Sequence, residues 1–224
     1  MFARLKTSRG GGLILELIML VVGINTALWF EGKFEDMQDA RTEIQYLEGL
    51  RDDLQLDVAG LDRQIDHNTA KLEALQRITQ TLGELAAAPP EEQAAALFEP
   101  SGYDFFQPSD FTYRSMQESG DFRLLSDPEI KKGILRLARQ YRTIELLQQN
   151  FMQALDDQYI PLLMRGFDIA EMRISDPSLV DNQIFRNFFM FALQDTSGRL
   201  AACRSAREQA ASLLERIETL LAEG

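Results

Sequence analysis

Residues 13–30, LILELIMLVVGINTALWF, form an apolar run broken by one charge, and a run of this kind constrains the fold before anything else does. As a helix at about 1.5 Å per residue it reaches about 27 Å, close to the thickness of a hydrocarbon core. A cleaved leader begins in the same way, with a basic segment ahead of an apolar core. Here the run carries Glu16, exceeds the usual length of such a core and is followed by no small-x-small cleavage site. It ends in Trp29 and Phe30, and a Trp at that point suits the membrane-water interface. The expectation is an uncleaved transmembrane helix over residues 13–30. Arg4, Lys6 and Arg9 precede it, which predicts a cytoplasmic tail over residues 1–12 and places everything after Phe30 on the far side.

Glu16 is the costliest residue to place in such a span, since a carboxylate at the bilayer centre costs about 2.5 to 3.5 kcal/mol on insertion scales. One reading has it snorkel to the headgroups or take up a proton. The other follows from helical spacing: Glu16, Gly23 and Ala27 stand at i, i+7 and i+11 and share one face. Gly23 and Ala27 make a small-xxx-small pair that lets a second helix approach closely. These three residues are the candidate membrane-helix interface.

Beyond residue 30 there are 34 acidic residues, all of the 35 except Glu16, against 20 basic ones, the 23 less Arg4, Lys6 and Arg9. A balance of −14 repels nucleic acid and anionic headgroups, so no nucleic-acid partner is expected. Cys203 is alone and cannot form an intrachain disulfide; a buried thiol is its default state.

From Ile44 the apolar residues fall into a seven-residue register. With Ile44 as a, the a set continues through Val58, Ile65 and Leu72, and the d set holds Leu47, Leu54, Leu61, Leu75 and Leu82; Arg51, Asn68 and Thr79 are the polar members. That narrow seam predicts a long helix with coiled-coil character over residues 31–88. Its partner is either a second copy or the C-terminal half of the same chain. Pro89-Pro90 ends it, because two amide donors are missing and Ala88 is pushed out of helical geometry.

Residues 89–127 read as an aromatic-rich connector with short helices. Ser109 is the expected cap of one of these and Gly120 its left-handed end. Tyr103, Phe105, Phe106, Phe111 and Tyr113 crowd this stretch; they are a candidate ligand or partner surface, or else a hydrophobic plug at the end of a bundle. Two long helices over residues 128–224 then pack on the first. Ser126-Asp127-Pro128-Glu129 opens one as a capping box, with Ile130, Ile134, Leu137, Tyr141, Ile144, Leu147, Phe151 and Leu155 on its apolar face. Pro161 should kink or end it near Tyr159. Asp176-Pro177 opens the other, whose face is marked by Ile184, Phe188, Phe191, Ala202, Leu213, Ile217 and Leu220, with Ser197-Gly198 as a candidate break. No stretch alternates with period two for long enough to predict a strand. The fold class is therefore all-α: one transmembrane helix followed by an elongated extracytoplasmic helical bundle.

The chemistry-bearing motifs are sparse. His67 falls at a c position of the long helix, where a solvated side chain is expected. There is no Gly-rich phosphate loop, no nucleophile elbow and no Cys pair, and Arg51-Asp52-Asp53 and Asp156-Asp157 read as solvated helix faces. No catalytic residue, cofactor or metal site is expected.

Glu16, Gly23-Ile24 and Ala27-Leu28, followed by Tyr46-Leu47, Leu50, Asp53-Leu54, Asp57 and Ser119-Gly120-Asp121 with Leu124 and Leu125, resemble the pattern of a family of bacterial single-pass membrane proteins catalogued as domain of unknown function 6090. The chain departs from that pattern at Leu15 and Leu28. The resemblance implies an anchored helical ectodomain and supplies no activity. The expectation is thus a non-enzymatic protein of a bacterial inner membrane with a periplasmic ectodomain. Its partners would be the lipid bilayer and either a second copy or another membrane protein, and its role that of a structural or accessory subunit. An extracytoplasmic ligand sensor and an oligomeric pore lined by Glu16 are the alternatives.

Overall fold

The computed structural model describes residues 9–223, with side chains from residue 16 onward. Arg4, Lys6 and most of the expected tail lie outside the described residues. Helix accounts for 87% of the structure, and the chain divides into two compact units, Met1–Tyr46 and Leu47–Gly224. Helix α1 (Arg9–Thr81) supplies both units.

In the first unit α1 carries the one stretch among the described residues that is long and apolar enough to cross a membrane, and none of that stretch is buried. Leu17, Ile18, Met19, Leu20, Trp29 and Phe30 are all more than half exposed. Ile44, the first residue of the expected seam, is 46% exposed.

The second unit begins at Leu47 on α1. After Thr81 the chain tightens into a 3-10 turn, Leu82–Ala87, and Ala88 adopts the extended conformation (ψ 160°) that the following proline demands. Helix α2 (Pro90–Phe98) then starts on the second proline, whose missing N–H is harmless in a first turn. Helix α3 (Phe111–Ser119) ends at Gly120 with φ 77°, as the left-handed stop requires; its N-cap position is Asp110 rather than Ser109. Helix α4 (Pro128–Ala154) is capped by Asp127, not Ser126: the Asp127 carboxylate accepts from the Glu129 and Ile130 amides at 2.7 and 3.1 Å. Pro161 has no N–H for the preceding turn, and the helix widens into a π turn, Leu155–Tyr159, before resuming as α5 (Ile160–Gly166).

Two short strands, β1 (Phe167–Asp168) and β2 (Arg173–Ile174), pair antiparallel with Phe167 opposite Ile174. At two residues each they are too short to leave an alternating pattern in the sequence. Asp176 caps only a 3-10 turn, Pro177–Asp181. The last helix, α6 (Gln183–Glu223), starts behind Asn182, whose side chain accepts from the Ile184 and Phe185 amides, and it runs through Ser197-Gly198 without a break. In its first turns the buried face is Phe185, Phe188, Phe189 and Ala192, whereas Ile184 and Phe191 are exposed; further along, Leu213 and Ile217 are buried. In a run as apolar as IFRNFFMF, spacing alone leaves the phase of the helix open.

Helix α6 runs antiparallel to both α1 and α4. Asp62 meets Arg207 and Gln55 meets Glu218, while Asp127 meets Arg216 and Gln140 meets Ser205. At one end of the unit Tyr159 is fully buried, stacks on Phe188 with ring centroids 4.4 Å apart and donates its hydroxyl to the Leu97 carbonyl at 2.7 Å.

The register of α1 differs from the expected seam. The buried residues are Leu47, Leu50, Leu54, Asp57, Leu61, Gln64, Asn68, Lys71 and Leu75, which step by three and four through the d and g positions. Val58, Ile65 and Leu72, at a positions, are only half-buried. The helix is turned so that a polar column, Asp57, Gln64 and Lys71, faces inward. Two of its members, Asp57 and Lys71, hold the connector.

Candidate functional site

Residues 99–110 cross the unit with almost no secondary structure of their own beyond a short 3-10 turn, Glu99–Ser101. Buried main-chain groups must still find partners, and the helices supply them through side chains. Lys71 donates its ammonium to the carbonyls of Pro100 and Gly102. Gln148 of α4 pairs with Phe106 twice, its oxygen accepting from the Phe106 amide at 2.8 Å and its nitrogen donating to the Phe106 carbonyl at 3.1 Å. Asp57 accepts from the Ser109 amide at 2.7 Å, and Asp53 from the Thr112 amide at 2.9 Å. Close packing adds to these ties, since a Cβ on Gly49 would stand 2.8 Å from the Thr112 hydroxyl oxygen.

Pinned in this way, the connector walls a groove of about 760 Å³ over α1 and α4. Leu50, Leu54, Ile134, Leu137 and Leu213 give it an apolar lining, and the rings of Phe105, Phe106, Tyr113 and Tyr141 stand around it. The charged groups facing it are Asp53, Asp57, Asp110, Glu145, Arg114 and Arg142. Both arginines are paired at the rim, Arg114 with Asp110 at 2.7 Å and Arg142 with Glu145 at 2.6 Å. Among the described residues no cationic side chain stands against Asp53 or Asp57; their contacts are the two amides and the Tyr141 hydroxyl, which donates to Asp57 at 2.7 Å. Asp57 is 3% exposed, and burial raises its carboxyl to about 6 against the pull of those two donors.

That shift has a pH signature. The folded chain keeps a proton on Asp57 up to about pH 6, whereas the unfolded chain releases it near its ordinary value of 3.8. The stabilisation from this group is therefore complete below that lower value and is lost as pH rises through about 6. Urea unfolding at pH 4.5 and 7.5 should show the wild type losing roughly 2 kcal/mol relative to Asp57→Asn between those two values. Equal pH slopes for the two proteins would mean Asp57 is ionised in the fold throughout.

A second polar cluster is enclosed beside the connector. Arg199 and Asp195 of α6 form an ion pair at 2.7 Å with side chains 3% and 5% exposed. Arg199 lies 4.9 Å from the ring centres of both Tyr103 and Phe151, and the Lys71 ammonium lies 5.1 Å from that of Phe151. Burial, with Arg199 adding to it, lowers Lys71 to about 8. Cys203 is buried close by, and burial pushes its thiol up to about 11.

The five aromatic residues of the candidate surface are thus divided. Phe105, Phe106 and Tyr113 line the groove, Tyr103 belongs to the enclosed cluster, and Phe111 projects outward, 81% exposed. Tyr103 and Phe105 join the two regions, with ring centroids 4.3 Å apart. Asp53 is a tie to the connector rather than part of a solvated face. Asp57 and Tyr141 line the groove and Gln148 holds its Phe106 wall, and the sequence pattern marks none of the three as a site residue. Tyr141 stood only among the apolar markers of α4, and Asp57 only within the family resemblance. Among the described residues no group of three or more His, Cys, Asp or Glu is arranged to hold a metal ion. The chain matches no family model, no curated protein and no solved structure.

Proposed function

We propose that the chain is a non-enzymatic single-pass protein of a bacterial inner membrane, with its N-terminus cytoplasmic and its helical unit periplasmic, acting as a structural or accessory subunit of a membrane protein assembly. The observation that carries this reading is the exposed apolar stretch of α1, whose side chains from Leu17 to Phe30 find no cover within the protein. An apolar surface of that extent is stable against lipid or another apolar helix. On it, Glu16 is exposed and a Cβ added to Gly23 would meet nothing within 4 Å, so the face that includes Ala27 is open to a partner.

A reporter active only outside the cytoplasm, fused after Gly224, should be active in cells, and the protein should stay in the membrane pellet after alkaline carbonate washing. Release by carbonate would remove the anchor from the proposal, and activity of a cytoplasm-only reporter would reverse the topology. The groove favours a second reading, an extracytoplasmic ligand-binding protein, because it is a concave volume of the size that small molecules occupy.

A further inference from the structure

We propose that the groove between α1, α4 and the connector binds a small organic cation, an amine carried on an aromatic or branched apolar body. This goes beyond the role as an assembly subunit and does not depend on it. The volume of about 760 Å³ lies within the range of about 300 to 1,000 Å³ that drug-sized ligands fill.

The charge of the ligand follows from which groups are already satisfied. At the rim Arg114 and Arg142 are each neutralised by a carboxylate of the same helix, Asp110 beside the first turn of α3 and Glu145 on α4. Inside, Asp53 and Asp57 remain, and neither meets a lysine, arginine or histidine. Each ionised carboxylate has about four acceptor directions. Asp53 uses one and Asp57 two, for the connector amides and Tyr141. The remaining directions suit the donors of an ammonium group, and a bound cation supplies the counter-charge that the protein lacks there.

The body of the ligand follows from the walls. Tyr113, Tyr141 and Phe105 line it, and aromatic rings attract a cation and stack on an aromatic group. Leu54, Ile134 and Leu137 accept an apolar body and offer nothing to a polar one. An anion of the same shape would meet two carboxylates, and a neutral molecule would leave them without a counter-ion.

Three indole compounds that differ only in the end group test the charge: tryptamine, tryptophol and indole-3-acetate. Each is titrated calorimetrically into the full chain in uncharged detergent at pH 7.5, with empty micelles as the blank. Tryptamine should bind at least about tenfold more tightly than tryptophol, a gap worth about 1.4 kcal/mol, and indole-3-acetate should not bind. Lowering the pH to 5 should weaken tryptamine binding as Asp57 takes up a proton. Asp53→Asn keeps an acceptor for the Thr112 amide and should weaken it about tenfold with unchanged circular dichroism. Ala138→Phe, which fills the groove from α4, should abolish it. Equal binding of the amine and the alcohol, or tryptamine binding untouched by Ala138→Phe, would overturn the proposal, as would the absence of any binding by the amine.

Discussion

Replacing Asp195 with alanine should lower the stability of the Leu47–Gly224 unit by about 3 to 5 kcal/mol, the usual loss when one partner of a buried ion pair is removed. The expectation is at the upper end because of what remains. Arg199 and Lys71 would be left as two buried cations over the same Tyr103 and Phe151 rings, with no anion between them. The loss should appear as a drop of about 2 M in the urea midpoint followed by far-UV circular dichroism. It should also depend on pH. Lys71 is already lowered to about 8 by burial and by Arg199, so raising the pH above that value discharges it and relieves part of the repulsion. A defect as large at pH 9.5 as at pH 7 would argue that Lys71 does not share the field of Arg199. Replacing both partners, Asp195→Leu with Arg199→Met, should recover most of the loss, because a well-packed apolar pair avoids the desolvation penalty altogether.

Gln148→Ala should cost about 2 to 5 kcal/mol, since it strands the amide and the carbonyl of Phe106 together and each buried unpaired group is worth about 1 to 3 kcal/mol. The side chain is buried on α4 and works as a substitute strand, pairing with one residue of the connector as a neighbouring backbone would. Gln148→Glu should be intermediate, because a carboxylate accepts from the Phe106 amide but repels its carbonyl. Hydrogen exchange at Phe106 and Ser109 provides the local readout: both amides should exchange faster in Gln148→Ala, and the groove should lose its wall. Unchanged exchange at Phe106 would mean that the ties from Lys71 and Asp57 hold the segment without Gln148.

The sequence by itself determined the helical class, the apolar stretch at residues 13–30 and most of the stops. Pro89-Pro90, Gly120, Pro128 and Pro161 each act through backbone geometry that any neighbouring residues would obey, and the structure starts, bends or ends its helices there. The d-position leucines of α1 and the Ile130, Ile134, Leu137, Ile144 and Phe151 face of α4 were legible for a similar reason: apolar residues repeat at helical spacing on a buried face. Tertiary structure alone decided which side of α1 turns inward. An apolar count favours the a positions, yet Asp57, Gln64 and Lys71 are buried in place of Val58, Ile65 and Leu72. Nothing local to those residues requires it. The connector groups that Asp57 and Lys71 bind lie 29 to 52 residues further along the chain, and Tyr141 lies 84 residues beyond Asp57. A seven-residue interval of polar side chains reads as a solvated stripe until a segment without secondary structure lies against it. The groove has the same origin: its rings and carboxylates come from α1, the connector and α4, and only the packing of those three brings them around one volume.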